Sequence, residues 1–281
     1  MQNLNDKLNN KILLSKQKIN ETKQRLTEIP FRKLVPNMVT MMALCSGVTS
    51  IRYSVAESWT NAVLCIMLAC LFDGLDGRVA RFLKASSKFG AELDSLSDFV
   101  SFGVAPAILI YQWALFDFPK FGWLLCLIFA MGMAMRLARF NTMLEDDDVP
   151  EYWSHYFVGV PAPAAAGLAI TPVILSFEFP EIEAFLRSHV TCGVLMFVVT
   201  LFMVSRIPTL SLKKTKVKRY MLMPLMLFVV LFINFLLTQP WLTLGFISCL
   251  YMISIPLTCM RFLKDKAAFE KRDLKAAKKT A

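Results

Sequence analysis

Four aspartates in one short stretch, DGLDGRVARFLKASSKFGAELDSLSD (residues 73–98), have spacings that suit catalysis by carboxylates. Asp73 and Asp76 are three residues apart, and Asp94 and Asp98 are four apart. On a helix, either spacing presents both carboxylates of a pair on one face. The basic segment between the pairs, RVARFLKASSK, is expected to fold the two helix ends together. The stretch therefore predicts four converging carboxylates.

Converging carboxylates need positive charge, because two unit charges about 4 Å apart repel by about 4 kcal/mol at an effective dielectric of about 20. Four such groups either take up protons or bind cations. Oxygen ligands without Cys or His predict a hard divalent ion, Mg²⁺ or Mn²⁺, and two such ions would clamp phosphate oxygens. Gly77 and Gly90 let a phosphate approach the backbone. Arg81, about one turn beyond Gly77, adds positive charge for a diphosphate.

Apolar segments flank this stretch and recur along most of the chain. A helix needs about 20 apolar residues to cross the hydrocarbon core of a bilayer, and 56% of the 281 residues are hydrophobic. The sequence therefore predicts an all-α fold, a polytopic membrane helical bundle. Its eight transmembrane helices are predicted at residues 36–54, 59–80, 92–115, 121–140, 157–177, 189–206, 220–238 and 241–261.

The distribution of positive charge predicts one orientation for this bundle. With the N-terminus on the cytoplasmic side, 28 of the 31 Lys and Arg residues fall on that side, and only Arg52, Lys120 and Arg187 lie on the other. Cytoplasmic loops carry such an excess in membrane proteins. Both termini and the aspartate stretch are therefore expected to face the cytoplasm. The net charge of +10 is first a topology signal, so no nucleic-acid partner is expected.

Cysteine and histidine usage argues against zinc sites and disulfides. The seven cysteines fall in or beside apolar segments without any C-x2-C pair, and the chain has only two histidines. Buried free thiols are the simpler interpretation.

The aspartate stretch resembles the signature of the CDP-alcohol phosphatidyltransferases, D-x2-D-G-x2-A-R-x8-G-x3-D-x3-D, at all eight fixed positions. The resemblance implies transfer of a phosphatidyl group from a CDP-linked lipid to a small alcohol, with release of CMP. It implies that Asp73 and Asp94 bridge two metal ions and that Asp76 holds one of them. Asp98 would bind the other ion and act as general base.

The same resemblance implies contacts to the cytidine diphosphate from Gly77, Arg81 and the neighbourhood of Gly90. The segment PNMVT (residues 36–40) resembles the family's N-terminal element beside the nucleotide, which adds Asn37 and Thr40 as candidates. Asn and Thr at a helix start also serve as caps, so a purely structural role stays open for these two.

Three features resemble the phosphatidylserine synthases of this family: RLARFN (residues 136–141), FVGVPAPAAA (residues 157–166) and the eight-span layout. They imply CDP-diacylglycerol and L-serine as substrates, and a homodimer. We hypothesise that one of Arg136 and Arg139 pairs with the serine carboxylate and the other with a phosphate. The alternative is that both arginines only enforce topology or extend to lipid headgroups.

Two other functions remain open on sequence grounds. A sibling enzyme would use glycerol 3-phosphate, inositol phosphate or choline, and the aromatic residues Tyr152, Trp153, Tyr156 and Phe157 keep a choline cage open. A cation transporter would instead place its acids near mid-membrane on broken helices. The four aspartates are expected at the inner edge of two spans, which argues against a transporter. The acidic loop at residues 145–148 has no assigned role.

These features divide the chain into four parts and predict its location. A multi-pass protein is expected, in the inner membrane if the source is bacterial, with the active site facing the cytoplasm. The predicted parts are a basic amphipathic or disordered leader (1–34), a six-helix catalytic membrane domain (35–210), two further transmembrane helices (211–262) and a basic tail (263–281).

Overall fold

A computed structural model describes residues 31–85, 87–143, 156–205, 208–210 and 219–280. Most of the predicted leader, the acidic loop at 145–148, His155 and the basic residues 213–218 lie outside the described residues. The α-helices in chain order are α1 (Phe31–Val55), α2 (Trp59–Phe82), α3 (Lys88–Asp98), α4 (Ala105–Ile110), α5 (Pro119–Met143), α6 (Ala162–Ala169), α7 (Thr171–Ser176), α8 (Glu183–Leu186), α9 (His189–Val204), α10 (Leu222–Thr238) and α11 (Pro240–Thr280).

The third helical rod is continuous although its hydrogen bonding changes along its length. It runs from α3 through a π-helical segment (Phe99–Val104) into α4 and ends in a second π-helical segment (Tyr111–Leu115). Two 3₁₀ turns, Pro180–Ile182 and Arg219–Met221, precede α8 and α10. The last helix, α11, continues to Thr280, well beyond the predicted membrane span.

The helical prediction is confirmed, but the number of spans is not. By length and composition, four described helices could cross a membrane: Leu34–Val55, Lys88–Leu115, Lys120–Thr142 and Pro240–Phe262. A fifth span results if the pair Pro180–Leu186 and His189–Val204, bent by 68°, counts as one. The chain is thus an integral membrane protein, while eight spans remain a prediction.

The fifth predicted span, residues 157–177, is not one helix. Residues Tyr156–Val158 form a short strand, β1, which pairs antiparallel with β2 (Pro208–Leu210). The helix begins only at Ala162, after Gly159 at φ 75° and Pro161 at the N-cap position, and it breaks at Ile170. Pro172 then lies in the first turn of α7, where its missing N–H is tolerated. The prolines therefore divide the segment, and the wholly α-helical prediction missed the small ribbon.

Small residues let the helices of the core approach closely. A Cβ at Gly47 of α1 would lie 2.7 Å from the Cα of Ser101 in the third rod. A Cβ at Gly103 would lie 3.0 Å from Cγ of Met133 in α5. The buried core is continuous around these contacts, and it includes Phe102, Leu109, Ile110, Phe129, Met133, Ala165, Ala166 and Val199. By contrast, α10 buries none of its residues and lies at the periphery.

Replacing Gly47 with Ala is expected to destabilise the bundle by about 1–3 kcal/mol, because the added methyl group meets helix backbone that cannot move alone. Gly167→Ala is the matched control, since no atom of another element lies within 4 Å of a Cβ there. This control is expected to be neutral or stabilising by up to about 1 kcal/mol. The free energy of unfolding in detergent measures both variants, and equal effects would contradict the close approach.

Candidate active site

A tight turn between α2 and α3 brings the two aspartate pairs together. At the end of α2, the Ala85 N–H donates to the Ala80 carbonyl at 2.9 Å and the Lys84 N–H donates to the Arg81 carbonyl at 3.2 Å. Lys84 adopts the left-handed conformation with φ 49°. This pairing is a Schellman motif, which ends a helix and reverses the chain.

The start of α3 is defined by a side-chain cap. The Gly90 N–H donates to Oγ of Ser87 at 3.0 Å, and Ser87 has extended backbone angles. Such an N-cap satisfies one of the free N–H groups of the first turn. Because the connection between the helices is only residues 83–87, the end of α2 and the start of α3 lie side by side.

The four predicted carboxylates lie in one cluster. Oxygen atoms of Asp73, Asp76 and Asp94 all lie within 4.8 Å of one another. Asp98 interacts directly with Asp73, and Asp94 interacts directly with Asp76. Asp76 is the most buried of the four, with 6% of its surface exposed.

This cluster fits a divalent cation. Its donor atoms are carboxylate oxygens only, which Mg²⁺ and Mn²⁺ prefer. In the described part of the chain, the one salt bridge joins Arg187 to Glu183, so no Lys or Arg neutralises these acids by direct pairing.

Helix α1 supports the cluster from one side. The Thr40 hydroxyl lies 2.7 Å from Oδ2 of Asp76, to which it donates, and both residues are buried. The Ser97 hydroxyl of α3 donates to the Thr40 carbonyl at 3.2 Å. Thr40, predicted beside the nucleotide, therefore also orients a carboxylate of the cluster.

A cavity of about 180 Å³ opens beside the cluster and contains most of the predicted nucleotide residues. Its lining residues come from α1, α2, α3 and the turn between α2 and α3, and they are Pro36, Asn37, Thr40, Asp76, Gly77, Ala80, Ala85, Ser87, Gly90, Ala91 and Asp94. A Cβ at Gly90 would lie 3.0 Å from Oδ1 of Asn37, so only glycine fits there without displacement. Gly77 has open space instead.

Arg81 lies outside the lining of this cavity. Its Nε donates to the Gly77 carbonyl on its own helix at 3.1 Å, and the side chain is exposed. The residue is therefore one helical turn from the cavity wall, and its guanidinium is not directed onto the carboxylates by any salt bridge in the described structure.

The two predicted arginines of α5 have different surroundings. Arg136 interacts electrostatically with Asp98 and Asp73, and its buried Nε and Nη1 have no hydrogen-bond partner among the described residues. Arg139 donates from Nη1 to the Val204 carbonyl at 2.6 Å, which ties α5 to α9. Only Arg136 therefore offers buried, unused donors beside the carboxylates.

Sequence reasoning missed several polar residues around the cluster. Ser87 directly precedes the amphipathic helix α3 at the N-cap position, so capping rules alone could have identified it. Ser97 and the pair of Ser95 and Asn141 carry no such signal, because their partners come from distant segments. Tyr251 of α11 also interacts with Arg136, and nothing in its sequence context indicates this.

The side chains of the suggested choline cage, residues 152–153 and 156–157, are not described.

A family model described as CDP-alcohol phosphatidyltransferase matches residues 33–260, which contain every element of this site. The chain belongs to the CDP-alcohol phosphatidyltransferase family. The match extends beyond the aspartate stretch to the first half of α11, so the family resemblance covers the arginine-bearing helix α5 as well.

Three proteins similar to this chain are each named CDP-diacylglycerol–serine O-phosphatidyltransferase. The protein of Mycobacterium leprae is 34% identical over 80% of this chain and 74% of its own length. That of Helicobacter pylori is 34% identical over 78% of this chain and 88% of its own length. The Mycobacterium bovis protein is 41% identical, but over 53% of this chain and 52% of its own length.

Replacing Thr40 with Val is expected to weaken divalent-ion binding by about 10- to 100-fold, because a carboxylate loses the hydroxyl that orients it. Thr49→Val is the matched control on the same helix, since the Thr49 hydroxyl donates only to the Cys45 carbonyl at 2.6 Å. Titration of Mn²⁺ against the purified protein, followed by electron paramagnetic resonance, measures the affinity. Equal Mn²⁺ affinity in the two variants would contradict the role given to Thr40.

Proposed function

We propose that this chain transfers a phosphatidyl group from CDP-diacylglycerol to the hydroxyl of L-serine, giving phosphatidylserine and CMP. The observation that carries the proposal is the arrangement of the carboxylate cluster between two unlike sides. On one side is the cavity lined by residues of the family signature. Arg136 instead interacts with Asp98 and Asp73, which do not line that cavity, and its buried Nε and Nη1 have no hydrogen-bond partner among the described residues. The names of the relatives support serine as the acceptor.

The carboxylates are assigned to two divalent ions. Asp73 and Asp94 would bridge them, Asp76 would hold one, and Asp98 would hold the other; the mutual approach of these oxygens supports the assignment. When bound, such ions neutralise the diphosphate and make CMP a competent leaving group. The nucleotide is assigned to the cavity, against Gly77, Gly90, Asn37 and Thr40. Arg81, exposed and one helical turn beyond Gly77, is assigned to the diphosphate from outside the lining.

The acceptor is assigned to the opposite side of the cluster. Arg136 binds the serine carboxylate, since a guanidinium pairs well with a carboxylate and its Nε and Nη1 are unused. The interaction of Arg136 with Asp98 supports assigning the serine hydroxyl to the neighbourhood of Asp98. Asp98 takes the hydroxyl proton as the oxygen attacks the phosphorus that bears diacylglycerol, and the bond from that phosphorus to CMP breaks. Arg139, engaged with Val204, serves the fold rather than a phosphate.

We also propose on which side of the membrane the active site lies and how many times the chain crosses the membrane. The excess of Lys and Arg on one side supports a cytoplasmic active site and cytoplasmic termini, in the inner membrane if the source is bacterial. The eight apolar segments of the sequence support eight spans, and four described helices are long and apolar enough on their own. A homodimer is proposed from the family resemblance alone.

Incubation of the purified protein with CDP-diacylglycerol and L-serine is expected to yield phosphatidylserine and CMP in equal amounts. Lipid mass analysis measures the product, with glycerol 3-phosphate, inositol phosphate and choline offered in parallel.

Asp98→Asn is expected to lower the rate by about 10²- to 10⁴-fold, because a general base is lost. Asp117→Asn, an exposed residue outside the cluster, is the control. A product formed only with another alcohol would overturn serine as the acceptor.

Replacing Arg136 with Gln is expected to raise the serine KM by at least about tenfold, since a hydrogen bond to a charged group contributes about 1.5–3 kcal/mol. The KM for CDP-diacylglycerol is expected to stay constant. Arg52→Gln, exposed at the far end of α1, is the matched control. Arg139→Gln is expected to lower thermal stability instead. An unchanged serine KM in Arg136→Gln would exclude this residue as the carboxylate anchor.

A further inference from the structure

A hydrogen bond between α3 and α5 lies beside the active site. Nδ2 of Asn141 donates to Oγ of Ser95 at 3.0 Å, and Oγ of Ser95 donates to the Ala91 carbonyl at 3.1 Å. The reverse arrangement, with Ser95 donating to Oδ1 of Asn141, is longer at 3.4 Å. The Ser95 hydroxyl therefore accepts from one helix while it donates to its own. Among the described residues, no other side-chain hydrogen bond joins α3 to α5.

This bond and one packing contact set the register of two antiparallel helices. Gly103, further along the third rod, packs directly against Met133 of α5. From Ser95 to Gly103 is eight residues, and from Met133 to Asn141 is also eight. The equal residue spacing is compatible with one antiparallel alignment, because an α-helix advances by about 1.5 Å per residue and the π-helical segment Phe99–Val104 advances only somewhat less.

Asp98 and Arg136 both lie between these two contacts. Asp98 is three residues beyond Ser95, and Arg136 is three residues beyond Met133. The alignment therefore places them within about one turn of each other along the paired helices, which agrees with their electrostatic interaction. Nearby Thr142 adds no second tie to α3, because its hydroxyl donates to the Arg139 carbonyl of its own helix at 2.9 Å.

We propose that Asn141 and Ser95 are positioning residues of the acceptor subsite. Their hydrogen bond holds the guanidinium of Arg136 beside Asp98, so that a β-hydroxy amino acid can present its carboxylate to one and its hydroxyl to the other. This inference rests on the proposed function, in which Arg136 binds the acceptor carboxylate. Neither positioning residue touches substrate. Their effect is transmitted by the register of α5 on α3, so it falls on the acceptor and spares the nucleotide cavity, which α5 does not line.

The test is a double-mutant cycle of Ser95→Ala, Asn141→Ala and the double variant in the full-length protein. Each single change is expected to raise the serine KM by about three- to tenfold, as for a lost neutral hydrogen bond. The double variant is expected to add little, since the bond is already broken. The KM for CDP-diacylglycerol is expected to stay constant. Ser95→Thr, which keeps the hydroxyl, is expected to retain the wild-type serine KM, and Thr142→Ala is the control on the same helix end.

A second arm asks whether the effect passes through Arg136. In an Arg136→Gln background, Asn141→Ala is expected to leave the serine KM unchanged. A further rise of the serine KM by the same factor in that background would overturn the positioning role. In the double-mutant cycle, additive single effects or an unchanged serine KM in both single variants would overturn it as well. So would a parallel rise of the KM for serine and for CDP-diacylglycerol together with a lower Tm. If the wild-type chain uses another alcohol, serine is not the acceptor and the proposed function is wrong. The double-mutant cycle is then repeated with the KM for that alcohol, and its result supports or overturns the positioning role independently.

Discussion

The mutual repulsion of four carboxylates at one end of two packed helices is the constraint on which the rest of the structure depends. Helices in a close-packed bundle cannot move apart to relieve it, and no described Lys or Arg forms a salt bridge with these acids. The surrounding structure instead holds them in place. A Schellman turn and a Ser87 cap bring the helix ends together, and the Thr40 hydroxyl orients the most buried carboxylate. A site of this kind is stable when cations are bound.

The carboxylate cluster also divides the site into two sides with different chemistry. The first three helical rods form the cavity side, where small residues leave room for a nucleotide. Helix α5 contributes Arg136, whose buried Nε and Nη1 have no hydrogen-bond partner in the part of the chain that the structure describes. Donor and acceptor thus approach the same carboxylates from separate elements. This separation is consistent with a family in which the nucleotide signature is shared while the acceptor alcohol differs between members.

Sequence spacing predicted much of this architecture because helical periodicity is a local property. The helical regions lie close to the predicted spans, and the aspartate pairs share helix faces as their spacing requires. The segment from Tyr156 to Ser176 departs from the prediction because its hydropathy reads as a span while its prolines and Gly159 interrupt the helix. Hydropathy reports burial in an apolar environment, and it does not report where backbone hydrogen bonds stop.

The sequence by itself determined the helical membrane class, the carboxylate quartet and the glycines beside it, since each follows from residue type and short-range spacing. Only the tertiary structure distinguished Arg136 from Arg139, which stand three residues apart in the same motif. One donates to a carbonyl of α9, and the other approaches acids of α2 and α3. The pairing of Asn141 with Ser95 was decided in the same way. Such partners come from segments distant in the chain, so helix packing, which no local pattern encodes, selects them.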